Sequence, residues 1–456
     1  MAETKIIVLD DDPTGSQTVH SCLLLTRWDV ETLKVGLQDA APLFFVLTNT
    51  RGMDANSAEA LTREVCINLK QALSELAASG HEINPLVVSR SDSTLRGHYP
   101  VETDVIAEEL GPFDAHFMVP AFFEGGRFTR DSVHYLIVDG EPVPVHETEF
   151  AQDSVFAYQH SYLPDYVEEK TRGRIKADDV IQFLLNDVRG DSLARLMALH
   201  DNQCCVVDGE TQQDLNNFCE QLMKAARLGK RFLFRSAASL LTALAQLPPQ
   251  PVKSYDMARY VRHAKPGVVI VGSHVKKTTQ QLNALLTQQG IESVEVDVER
   301  IDSDHNLLDN TIEKIASLHQ AGINVVVYTS RTEKTFASQA ERLAFGVRVS
   351  DFLMEIVRNL PRGLGFLISK GGITSNDVLS TGLSLRTSRV VGQILPGCSV
   401  VCCPHDHPRY PELPVVIFPG NVGDEQSLAK AYTYLACTLS TGEDEHESIN
   451  PIAEVR

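Results

Sequence analysis

Short β-branched or aromatic runs alternate with longer stretches whose apolar residues recur at helical spacing, along almost the whole chain. In the first half, residues 5–9, 43–48, 85–89, 116–120 and 204–208 read as strands, and 57–78 and 178–186 as helices. Pro248, Pro249 and Pro251 then remove backbone donors and disfavour helix before them, which marks 247–256 as a linker. The alternation restarts with strand 267–272, helix 278–289, strand 293–297, a helix ending near 321, and strands 324–330, 366–369 and 414–418. Such alternation predicts an α/β fold of two domains with largely parallel sheets. The expected organisation is an N-terminal domain over 1–246, the linker, a C-terminal domain over 257–440 and a frayed acidic tail over 441–456. A cleft between the domains is the expected meeting place of two substrates.

Composition narrows the partners. The 456 residues, 43% of them hydrophobic, can bury a sizeable core. Sixty acidic against 41 basic residues give a net charge of −19, which repels nucleic acid and anionic membranes, so neither is an expected partner. Nine cysteines, an odd number without a CxxC pair, read as buried free thiols in a reducing cytoplasm. The opening MAETKIIVLDDD carries charge and no long apolar core, and no stretch approaches about 18 apolar residues. A cytoplasmic location is the expectation.

The chemistry gathers at strand ends. Asp10, Asp11 and Asp12, followed by Pro13-Thr14-Gly15, stand at the carboxyl end of the first strand, the edge where open α/β sheets bind ligands. Three crowded carboxylates are costly unless a metal, a hydroxyl-rich ligand or basic partners compensate. A helix cap with solvated acids is the bland alternative. The loop also fits the nucleophile loop of haloacid-dehalogenase-type phosphatases, with Asp10 attacking phosphorus, Asp12 as acid/base, and Mg²⁺ bound. The lysine and acidic pair of such an enzyme are missing, because the third strand ends in SRSDSTLRGHYP. There Arg90, Ser91, Asp92 and Arg96 combine guanidinium forks for a carboxylate with side chains that hold vicinal hydroxyls, a set suited to a small polyhydroxy acid. Arg51 and Arg127 add positive charge at two further loop ends. In the second half, Gly272-Ser273, Gly371-Gly372 and the loop from Gly420 to Gly423 follow strands, and together they read as a nucleotide site. Their spacing is not that of a Walker loop. A non-catalytic sensor of acid sugars or nucleotides is a third reading.

Taken together, these loops resemble the four-carbon acid sugar kinases. Asp10-Asp11-Asp12-Pro13-Thr14-Gly15-Ser16 is similar to the family's ADD-x-TGA opening, and residues 90–98 with Glu102 to its KKIDSTLRGN-x3-E. Pro120-Ala121-Phe122-Phe123 through Gly126-Arg127 resembles PAFPxxGR, and Glu147-Thr148-Glu149-Phe150 to Asp153 matches a further stretch. Gly272-Ser273, Gly371-Gly372-Ile373-Thr374 and Pro419-Gly420-Asn421-Val422-Gly423 resemble the family's nucleotide loops. The resemblance implies an ATP- and Mg²⁺-dependent kinase whose N-terminal domain binds the acid sugar and whose C-terminal domain binds ATP. It would phosphorylate the terminal hydroxyl of threonate, erythronate, 3-oxo-tetronate or a branched relative such as 3-oxo-isoapionate, with a homodimer allowed for. Asp12 and Asp92 would be catalytic, and Asp11, Arg51, Arg90, Ser91, Arg96 and Arg127 would bind substrate. In this reading Arg96, with Arg90 or Arg51, clamps the substrate carboxylate. Ser273, Gly371, Gly372, Thr374, Gly420, Asn421, Val422 and Gly423 would cradle the nucleotide. Asp10, Pro13, Ser91, His98 and Ile373 depart from the family pattern, which opens the sugar pocket to a non-standard acid.

Overall fold

The computed structural model describes residues 3–331, 336, 338–420 and 422–436, so the acidic tail, Cys437 and Asn421 lie outside the described residues. Of its strands, Arg127–Arg130, Val133–Val138 and Glu141–Pro144 form a separate antiparallel sheet, and the other fifteen form one continuous sheet. Eight of them, in the order Cys22–Leu25, Leu43–Leu47, Glu3–Asp10, Ile83–Arg90, Phe232–Ser236, Ala115–Val119, Gln203–Val207 and Ile181–Phe183, make a parallel N-terminal block. A second parallel block runs Ile291–Val296, Asn324–Thr329, Val268–Val271, Leu367–Lys370 and Pro414–Phe418. Strands buried on both faces need no alternation, so their runs of Val, Ile, Leu and Phe are legible as strands. Helices such as Ala55–Ala78, Gln212–Arg227 and Leu307–Gln320 cover the faces.

The two blocks were expected to carry separate sheets. Instead an antiparallel hairpin, Thr387–Leu395 and Cys398–Cys402, joins them by pairing with Cys22–Leu25 on one side and Pro414–Phe418 on the other. It satisfies two edges that would otherwise leave backbone donors and acceptors unpaired. The hairpin reverses the second block relative to the first. Six steps separate Glu3–Asp10 from Leu367–Lys370 in the sheet order. At roughly 20–25° of twist per step, the reversed block is turned most of the way round. The carboxyl ends of both blocks thereby face one cleft, with the hairpin tip, Pro396-Gly397, between them.

The expected helix over 178–186 is a turn, Ala177–Asp179, the short edge strand Ile181–Phe183 and the helix Leu185–Arg189. The open edge of Gln203–Val207 recruits the middle of that segment, where Val180 and Phe183 are buried. The proline-rich stretch is packed: the Gln250 amide exchanges hydrogen bonds with the backbone of Gln393, at 2.7 and 3.1 Å. Described cysteines are all unpaired, and all but Cys402 are buried. Among the described residues, no helix is long and apolar enough to cross a membrane.

Candidate active site

One cavity of about 940 Å³ fills the cleft and is lined from both blocks. Its N-terminal wall includes Asp12, Arg51, Arg90, Asp92, Arg96, Glu124 and Arg127, and its C-terminal wall Ser273, Gly371, Gly372, Thr374, Gly420, Val422 and Gly423.

The aspartate loop is compensated by arginine. Arg51 grips Asp11 through two bonds, Nε to Oδ2 at 3.0 Å and Nη2 to Oδ1 at 2.5 Å. Its Nη1 lies 3.4 Å from Asp12 Oδ2 and 3.7 Å from Asp92 Oδ1. Arg90, almost fully buried, reaches Asp10 at 3.3 Å and Asp11 at 3.5 Å. These pairings divide the acids by protonation. Burial pushes the Asp10 carboxyl up to about 8 despite Arg90, so it holds a proton at neutral pH. Burial also opposes ionisation of Asp12, but Arg51, Arg90 and the Thr14 hydrogen bonds outweigh it and hold the group below the usual carboxylate range. Arg51 and Arg96 do the same for Asp92 against the same opposition, and hold it far below that range. Gly15 packs so closely over Asp10 that a Cβ there would lie 2.0 Å from a carboxyl oxygen.

Residues 92–96 have no ladder or helix to satisfy their carbonyls, yet each one is held by a side chain. Arg235 donates to the carbonyls of Asp92 at 3.5 Å and Arg96 at 2.9 Å. His134 donates to that of Ser93 at 2.8 Å, Tyr158 to Thr94 and Tyr166 to Leu95, both at 2.7 Å. Burial holds His134 down at about 4, so its ring is neutral: Nε2–H donates while Nδ1 accepts from Thr129 at 2.9 Å. The Asp92 carboxylate closes the turn by accepting from the Thr94 backbone at 3.2 Å. A loop this fully satisfied presents Asp92 and Arg96 in fixed positions.

Across the cleft two glycines are required, one by its backbone and one by close approach. Gly371 has φ +121°, and a Cβ on Gly272 would lie 2.4 Å from the Thr374 hydroxyl. Behind the loop at 419–423, buried Lys370 donates to the carbonyls of Pro419 at 2.5 Å and Gly420 at 3.1 Å. Gln281 ties down the carbonyls of Val422 and Asp424 at 3.0 and 2.8 Å. Phe345, Val349, Leu353 and Met354, on the helix Gln339–Arg358, add an apolar wall that suits a flat heterocycle.

The sequence-derived residues thus converge, with exceptions. Asp11 and Ser91 are buried off the cavity wall, and Asn421 lies outside the described residues. Arg51 and Arg90, expected to hold the substrate carboxylate, are committed to aspartates. Asp10, the nucleophile that a phosphatase would need, is fully buried and absent from the wall. Missed were Arg235 and His134, Glu124, and the apolar helix. The first two act on residues far away in the chain, and only the strand-like run at 232–236 hints at Arg235.

The sequence matches the description "sugar-binding N-terminal domain" over residues 6–244 and "nucleotide-binding C-terminal domain" over 268–428. It is 25% identical to a D-threonate kinase of Salmonella typhimurium, over 94% of this chain and 98% of that one. It is 24% identical to a D-erythronate kinase of Heliobacterium modesticaldum, over 62% of this chain and 60% of that one. A crystal structure of a Haemophilus influenzae protein shares the fold at TM-score 0.65, with 17% identity over 94% of this chain and all of that one.

Proposed function

The chain belongs to the four-carbon acid sugar kinase family, and we propose that it transfers the γ-phosphoryl group of ATP to the terminal hydroxyl of a four-carbon acid sugar. Threonate, erythronate, 3-oxo-tetronate and branched relatives such as 3-oxo-isoapionate are the candidate acceptors. One observation carries the reading: Asp12 of the acid-sugar half stands against Gly372 of the nucleotide half, inside the one cavity that both line.

Phosphoryl transfer needs positioning and charge neutralisation more than covalent chemistry. The substrate hydroxyl oxygen bonds to the γ-phosphorus, the bond from that phosphorus to the bridging oxygen breaks, and ADP leaves. Asp12, ionised and facing the cavity, accepts the hydroxyl proton. Asp92, fixed by its loop, accepts hydrogen bonds from the substrate's inner hydroxyls. Ser273 and the glycine loops hold the phosphates through backbone N–H groups, and the apolar helix wall takes the base. Asp12 and Thr14 are oxygen donors on the wall beside the Gly371-Gly372 loop, and Mg²⁺ asks for few protein ligands because it keeps water and phosphate oxygens. Such a site fits a metal that enters with the nucleotide, and once bound it would neutralise the phosphate charge.

The test is ADP release from Mg·ATP against D- and L-threonate, D- and L-erythronate, 3-oxo-tetronates and branched analogues. Stimulation by one acid, with phosphate on its terminal hydroxyl, is the expected result. Silence across the panel, with phosphate release from sugar-acid phosphates, would overturn it.

A further inference from the structure

We propose that Arg127 receives the carboxylate of the acid substrate and is therefore the residue that makes the enzyme select an acid over a neutral polyol. The proposal deepens the kinase reading and rests on it for the identity of the ligand.

Four guanidiniums line the acid-sugar wall of the cavity, and three are already paired. Arg51 spans Asp11, Asp12 and Asp92; Arg90 sits on Asp10 and Asp11; Arg96 donates to Asp92 at 2.9 Å and lies 3.5 Å from Asp153. Arg127 makes no side-chain hydrogen bond or ion pair among the described residues, and its Nε is buried without a partner. A half-buried guanidinium with a buried, unpartnered Nε is one that an incoming anion would satisfy. Burial accordingly pulls this group below its ordinary value, Asp92 opposing that shift and Arg96 adding to it.

Its posture is built in. The guanidinium lies over the Phe122 ring, 5.8 Å from the centroid. Gly125 borders both, and a Cβ there would fall 2.0 Å from Nη1 and 2.5 Å from the Phe122 ring and force the fork away. Phe122, Gly125 and Arg127 all line the cavity.

The order of charges gives the substrate a direction. Arg51 links Asp12 to Asp92, Asp92 pairs with Arg96, and Arg127 lines the same cavity wall. An acid sugar with its terminal hydroxyl at Asp12 thus runs past Asp92 and ends with its carboxylate at Arg127. Arg96, which holds Asp92 in place, borders the same end without being free to turn.

Two readouts on Arg127→Ala and Arg127→Lys test this. The first is turnover of the best acid against the matching tetritol, which carries a hydroxymethyl group in place of the carboxylate. The acid should lose about 100-fold in kcat/KM with Arg127→Ala, mostly through KM, and several-fold less with Arg127→Lys. For the tetritol the loss should be at least tenfold smaller. Equal losses for both, or a fall in kcat alone, would overturn the assignment. The second readout is calorimetric binding of the acid without nucleotide. Binding by the wild type that Arg127→Ala abolishes, in a protein that turns over no acid, would keep Arg127 as the carboxylate site and remove the kinase reading. Binding that survives in Arg127→Ala would remove Arg127 and leave the kinase reading intact.

Discussion

A Cβ placed on Gly372 would lie 3.6 Å from Oδ2 of Asp12, although the two residues belong to opposite halves of the chain. The contact places the proposed general base of the acid-sugar half beside the loop that would hold the transferred phosphate. It depends on the hairpin and on sheet twist, which bring the carboxyl ends of two oppositely directed blocks to one cleft.

Asp12→Asn should lower kcat by about 100- to 10,000-fold and leave the KM for ATP within twofold. Asp92→Asn, by contrast, should act mainly through the KM for the acid, since its carboxylate is paired with Arg51 and Arg96 on the acid-sugar wall. Steady-state ADP release measures both. A matched effect of the two substitutions on kcat would remove the division of roles.

The neighbouring glycines should behave differently. Gly371 has φ +121°, and its added Cβ would meet the Thr374 hydroxyl at 3.1 Å and the Ser273 Cβ at 3.3 Å. Gly371→Ala should therefore cost roughly 1–3 kcal/mol of stability and raise the KM for ATP. At Gly372 the nearest atom is 3.6 Å away, an ordinary contact, so Gly372→Ala should leave stability unchanged and reduce kcat through crowding at Asp12. Thermal melts with and without nucleotide separate the two.

Arg235 is 1% exposed and pins the carbonyls of Asp92 and Arg96 from beneath. Arg235→Met should release that loop, lowering kcat/KM for the acid by about 100-fold while the KM for ATP holds, because a misplacement of an ångström costs that much. Arg235→Lys, which keeps a donor, should recover part of the loss. A fall in acid and ATP affinity together, unrelieved by lysine, would mark Arg235 as a fold residue only.

The aspartate loop, the loop at 90–98 and the glycine loops were legible because each follows a recognisable strand and carries its chemistry in consecutive positions. What holds them was not. Tyr166 reaches the Leu95 carbonyl across 71 residues and Arg235 the Arg96 carbonyl across 139, and no local pattern encodes such pairs. The joined sheet was hidden for a similar reason, since Cys22–Leu25 finds its partner in Thr387–Leu395 at the far end of the chain. Nor does residue type reveal which arginine is free: Arg51, Arg90 and Arg127 read alike until Asp10, Asp11 and Asp12 are seen to occupy the first two.

Asp10 gives the fold a pH dependence of its own. Buried under Gly15, it keeps its proton up to about pH 8, whereas in the unfolded chain it would ionise near 3.8. Between those values the folded state binds a proton that the unfolded state has released, so this group makes stability fall as pH rises from about 4 to 8. Asparagine cannot ionise and has nearly the same shape. Asp10→Asn should thus match the wild type near pH 4 and exceed it by a few kcal/mol at pH 8, read from urea denaturation across that range. Parallel stability curves for the two proteins would mean that Asp10 is ionised in the fold and paired outright with Arg90.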